Sequence, residues 1–100
     1  MNVQWIDGGT FTWTGDHPDV AAKRRRRCHI GFTDDILVLG NRGFQLAVPL
    51  GNMTTVHYVQ HPVRSTLRFT AKGGVDITLK ETSKTYLNGT VLFRIQAAIP

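Results

Sequence analysis

Residues 65–80 constrain the fold more tightly than any other stretch of this chain. Leu67, Phe69 and Ala71 alternate with Thr66, Arg68 and Thr70, and Val75, Ile77 and Leu79 then alternate with Asp76, Thr78 and Lys80. Apolar residues at every second position give a strand one face for a core and one for water. Lys72-Gly73-Gly74 separates the two runs, and paired glycines accept the positive φ that a tight hairpin turn requires. The pair reads as an antiparallel hairpin.

The same period recurs along the chain. Phe11 and Trp13 alternate with Thr10, Thr12 and Thr14, until Gly15-Asp16-His17-Pro18 breaks the run. Cys28, Ile30 and Phe32 form the next inward face, and Thr33-Asp34-Asp35 turns the chain into the aliphatic segment 36–39. Gly40-Asn41-Arg42-Gly43 turns it again, into Phe44, Leu46 and Val48, with Pro49 where a strand ends or lies at an edge. Residues 54–60 supply a further strand, stopped by His61-Pro62. The count is seven short strands. After Asn88-Gly89 the period changes: Val91, Leu92, Ile95, Ala98 and Ile99 make one apolar stripe at helical spacing, with Thr90 placed to cap it. The β-branched content keeps a strand as the competing reading there. A helix with one apolar face would cover the open end of a seven-stranded barrel.

One hundred residues read as one small domain, residues 1–100, standing alone or as the N-terminal part of a longer protein. The ending Ile99-Pro100, directly after an apolar stripe, points to truncation or to a following linker. At 41% hydrophobic and 19% charged residues the composition is that of a globular domain and excludes a disordered one. Segment 36–39 is the longest aliphatic run and is far too short to span a bilayer. A single cysteine excludes an internal disulfide and suits a reducing, cytoplasmic compartment.

Charge is concentrated. Lys23, Arg24, Arg25, Arg26 and Arg27 are consecutive, and the formal net charge is +5, so the rest of the chain is charge-balanced. Soluble domains do not need a block of like charges to fold. The run abuts a strand, so Arg25, Arg27 and His29 fall on its outward face. Guanidinium forks grip phosphate oxygens in pairs. The run reads as a docking site for an anionic ligand, a phospholipid headgroup at a membrane surface or an acidic protein partner, with a solvated loop kept basic for solubility or partner steering as the competing reading.

Catalysis is poorly supported. Cys28 shares the inward side with Ile30 and Phe32, and Asp34-Asp35 is a turn pair whose side chains point apart. His57 and His61 share a strand face but stand about 13 Å apart, too far for one ion. No phosphate-cradling glycine loop with its lysine appears. Neither metal nor cofactor is expected. The basic run contains no aromatic residue, which argues against nucleic-acid stacking and leaves only a phosphate-directed mode. Arg64, Arg68 and Lys72 form a second basic stripe, best read as an ordinary wet sheet face.

Seven strands in a meander followed by a C-terminal helix resemble pleckstrin-homology (PH) domains. The likeness is strongest over residues 25–79, where Thr33-Asp34-Asp35, the segment 36–39 and Val48-Pro49-Leu50 follow the order of the second to fifth strands of PH-like and GRAM-type domains. The resemblance implies a PH-like barrel or sandwich that binds and does not catalyse. Lys23, Arg25 and Arg27 match the basic motif of lipid-binding members, with Arg24 and Arg26 as extras. The family also draws cations from two later turns, which here hold Arg42 and Lys72. Alternate turns of a meander point the same way, so the basic loop and the Arg42 turn should share one barrel end; the resemblance alone adds Lys72. The family's terminal helix carries a tryptophan, whereas Phe93 is the only aromatic in that segment here. The chain also looks closer in pattern to the GRAM and bacterial PH-like groups, whose ligands include proteins.

Overall fold

The computed structural model describes residues 2–6, 11–18, 26–41, 44–62, 64–81 and 89–99. Among these residues eight strands form one antiparallel sheet: β1 (Gln4–Trp5), β2 (Phe11–Asp16), β3 (Arg26–Phe32), β4 (Ile36–Asn41), β5 (Phe44–Pro49), β6 (Met53–Val59), β7 (Thr66–Ala71) and β8 (Val75–Lys80). A 3-10 turn, Leu50–Asn52, joins β5 to β6, and helix α1 (Gly89–Ala98) follows the sheet. The strand order is β5-β4-β3-β2-β8-β7-β6, with β1 beside β3. The path folds over on itself as a PH-like barrel or sandwich, and its two end strands, β5 and β6, are not paired with each other.

The expected periodicity sets the core. Phe11, Trp13, Cys28, Ile30, Leu37, Leu39, Leu67, Phe69, Ile77 and Leu79 are almost fully buried, each on the inward side of its strand. Helix α1 packs against β6 and the 3-10 turn, next to the seam that the strands leave open. Val91 and Ile95 are buried, and Leu92, Ala98 and Ile99 lean on the same core. Burial of an aliphatic side chain is worth about 1.5–3 kcal/mol, which is enough for these residues to hold a ten-residue helix in place. Arg94 adds a polar latch: its guanidinium donates to the Thr33 carbonyl at 2.8 Å and lies 4.8 Å from the centre of the Phe32 ring.

Several boundaries differ from the sequence expectation: β4 runs through Gly40 to Asn41, which were expected in the turn, β6 is shifted to Met53–Val59, and three further differences bear on the site or the helix. An eighth strand, β1, pairs with the far half of β3 (Gln4 opposite Phe32, Trp5 opposite Gly31), while β2 pairs with its near half. The two short strands thus line one side of β3 in succession. Secondly, β2 does not break at Gly15 but runs on to Asp16, paired with β8 through Gly15–Ile77 and Asp16–Asp76. Gly15 makes this possible with φ 133°, a conformation closed to most side chains. Thirdly, α1 starts at Gly89, so Thr90 lies inside the first turn and the capping position falls at residue 88, outside the described residues.

Glu81, just past β8, closes the β6–β7 connection. Its carboxylate accepts from the Ser65 amide at 2.6 Å, and its own amide donates to the Ser65 carbonyl at 3.1 Å. Both residues are buried. Glu81→Ala would strand the Ser65 amide, and is expected to cost about 1–3 kcal/mol in urea unfolding. Glu81→Gln keeps an acceptor and should cost less. Equal midpoints for the two variants would show that the clamp contributes nothing.

A basic sheet face carrying a tryptophan

The outward face of β3 is built by alternation. Cys28 and Ile30 point into the core, and Arg27 and His29 are exposed. Of the residues expected to bind an anion, Arg27 and Lys72 are described in full and Arg26 by its backbone, as the first residue of β3. Lys23, Arg24, Arg25 and Arg42 lie outside the described residues.

Register relates the segments that carry these cations. β2 ends at Asp16 opposite Asp76, beside the β7–β8 turn that holds Lys72. The chain leaves there toward the basic run and returns in β3 with Arg26 opposite Trp13. His29 pairs with Gly40, and Asn41 with Phe44, so the flanks of the β4–β5 bend stand beside the first half of β3. Gly73 and Gly74 have φ 90° and 84°, as a paired-glycine turn requires, and Lys72 is exposed on it. The cationic face also extends sideways. Thr12 pairs with Arg27 on one side and with Lys80 on the other, so two exposed cations flank one threonine.

Of the second basic stripe, Arg68 is neutralised. Arg68 donates to both carboxylate oxygens of Asp76, from Nε at 3.0 Å and Nη2 at 2.7 Å. This pair holds the Asp76 carboxyl below its ordinary range, chiefly through the hydrogen bond. Arg64 and Lys80 instead line a shallow cleft of about 420 Å³ with Val59, His61 and Thr66. A second cleft, also about 420 Å³, lies between β1, the β3–β4 turn and α1, lined by Asn2, Gln4, Phe32, Asp34, Asp35 and Arg94.

Groups weighed for chemistry fall into structural roles. Cys28 is buried, and desolvation pushes its thiol up to about 12, so it stays protonated at neutral pH and is a poor nucleophile. Asp35 accepts from the Thr33 hydroxyl at 3.2 Å, and that hydroxyl accepts from the Ile36 amide at 3.1 Å, so the acidic pair belongs to a side-chain-braced turn. The His61 ring accepts from the Arg64 amide at 3.5 Å. No three His, Cys, Asp or Glu side chains gather as metal ligands among the described residues.

Sequence reasoning missed two members of the basic face, Lys80 and Trp5. Its indole sits over Gly31 and Gly40: a Cβ at Gly31 would meet Cε3 at 2.8 Å, and one at Gly40 would meet Cη2 at 2.7 Å. The ring is edge-on to His29, with centroids 6.4 Å apart. Gly31, His29 and Arg27 are alternate residues, so Trp5 shares a face with the end of the basic run. The available signal was the two lone glycines within strands, which mark close approach of another group.

No family model and no curated protein matches this chain. Matches among solved structures include Inner Membrane Complex sub-compartment protein 3 from Toxoplasma gondii, with 17% identity and a TM-score of 0.57 over 92% of this chain and 73% of that one. The likeness is one of fold. No helix among the described residues is long and apolar enough to cross a membrane.

Proposed function

We propose that this domain is a non-enzymatic binding module that attaches to anionic phospholipid headgroups at a membrane surface. The observation that carries the proposal is the continuity of the basic run with β3: the residues that hold the whole net charge lead directly into a strand whose outward side chains are Arg27 and His29. Anchoring one end of the run to a sheet limits the entropy lost when its guanidinium groups converge on one phosphate-rich group. Lys72 and Lys80 would extend the positive field, and Arg42 would join it from the β4–β5 bend. On this reading the protein is cytoplasmic and peripheral to a membrane, and its kinship lies with the PH-like superfamily on the side of GRAM-type and bacterial PH-like domains.

Co-sedimentation tests it. The protein is expected to pellet with phosphatidylcholine vesicles containing phosphatidylserine or a phosphoinositide, and to stay in the supernatant with phosphatidylcholine alone. Equal pelleting with both would end the proposal. A second reading, a protein-interaction module, is favoured by the cleft at Val59, Arg64 and Lys80, where an aliphatic side chain adjoins two cations suited to an acidic partner. Capture of an acidic protein that survives loss of the 23–27 cations would support it.

A further inference from the structure

Trp5 is the exposed member of a pair. The other tryptophan, Trp13, is 1% exposed in the core, whereas Trp5 is 44% exposed on the outer face. Large aromatic side chains are normally well buried in a small domain, and nothing in the core requires this one outside. Its seat is nonetheless well defined. Gly31 and Gly40 provide a floor without side chains, Val3 flanks it at Gly31, and His29 stands edge-on to it. A ring held in this way loses little freedom when a partner covers it.

Its neighbours indicate the partner. Side chains two apart on one strand face are about 7 Å apart, so Arg27 lies two such steps from Gly31, and the indole reaches from Gly31 toward Gly40, the partner of His29. A cation and an amphipathic ring on one face match the layering of a bilayer surface, where phosphates lie outermost and tryptophan favours the zone just beneath them. An acidic protein could cover the same two groups, since tryptophan and arginine recur at the centres of protein interfaces; capture of such a protein by a domain that ignores vesicles would favour it over the bilayer.

We propose that Trp5 is a membrane-interface anchor, entering the headgroup zone of an anionic bilayer while the neighbouring cations bind its phosphates. This inference rests on the phospholipid reading above and adds a depth to it: the outer face of β3, and not only its basic approach, meets the membrane. A partner of this kind is a phospholipid surface, not a soluble phosphate.

Tryptophan emission tests the anchor directly, because Trp13 is already sheltered. Adding phosphatidylcholine–phosphatidylserine vesicles should shift the emission to the blue, and lipids brominated on their acyl chains should quench it. Both changes should vanish in Trp5→Phe, which keeps an aromatic ring on the glycine floor. Trp5→Ala, checked for folding by its thermal midpoint, should weaken partitioning about tenfold. If the protein pellets with anionic vesicles while its emission neither shifts nor is quenched, the anchor is overturned and the headgroup reading stands. If it does not pellet at all, both fall.

Discussion

Gly15→Ala is expected to lower the thermal midpoint by more than about 12 °C. Two costs combine. The backbone at this position has φ 133°, which a residue with a Cβ adopts only under strain of about 1–3 kcal/mol. The added Cβ would also be driven onto the carbonyl oxygen of Asp76 in the paired strand β8, and overpacking of this kind costs about 1–3 kcal/mol more. At roughly 4–8 °C per kcal/mol for a domain of this size, a combined loss near 3 kcal/mol gives the stated shift. Gly51→Ala is the control: a Cβ there meets nothing within 4 Å, so the change should stay within about 0.5 kcal/mol. Thermal or urea unfolding of the two variants decides the matter. If they melt together, Gly15 holds neither the positive φ nor the close approach to Asp76. The site depends on the β2–β8 pairing, which sets Thr12 between Arg27 and Lys80.

Gly15 also marks where sequence reasoning and structure part. A Gly-Asp-His-Pro cluster ordinarily ends a strand, yet here one glycine takes a positive φ and the pairing with β8 continues. Alternation was readable wherever a strand has a core on one side and water on the other, which explains the success with Leu67, Phe69, Ile77 and Leu79. It also set the parity of β3, and with it the exposure of Arg27 and His29. The stripe of Val91 and Ile95 was legible for the same reason at the helical period. β1 was not legible, because two residues are too few to show a period. Its meaning depends on Gly31, 26 positions further along. Trp5 therefore joined the candidate site only through tertiary pairing, as did Lys80 through Thr12. Arg94 was hidden similarly: on a helical wheel it is one more polar residue, and its contact with Thr33 spans most of the chain.

Changing Arg24, Arg25, Arg26 and Arg27 together to alanine should weaken partitioning onto phosphatidylserine vesicles about a thousandfold. Each Lys or Arg near an anionic leaflet contributes about 1 kcal/mol, so four amount to about 4 kcal/mol, or roughly three decades in affinity. Lys72→Ala alone should cost about fivefold by the same measure. Wild-type binding should also fall steeply as salt is raised, because exposed charges are screened beyond about 8 Å at physiological ionic strength, while the residual binding of the quadruple variant should depend on salt only weakly. Stability provides the internal check. The exposed Arg27 lies outside the core, and relief of repulsion within the run offsets what little it contributes, so the unfolding midpoint of the quadruple variant should match the wild type. Arg68→Ala supplies the contrast: its charge is already matched by Asp76, and its loss should change vesicle binding far less than the loss of Lys72. A quadruple variant that partitions like the wild type would refute attachment through the basic run. If Arg68→Ala instead proved the most damaging change, the anionic surface would lie on the β7–β8 face.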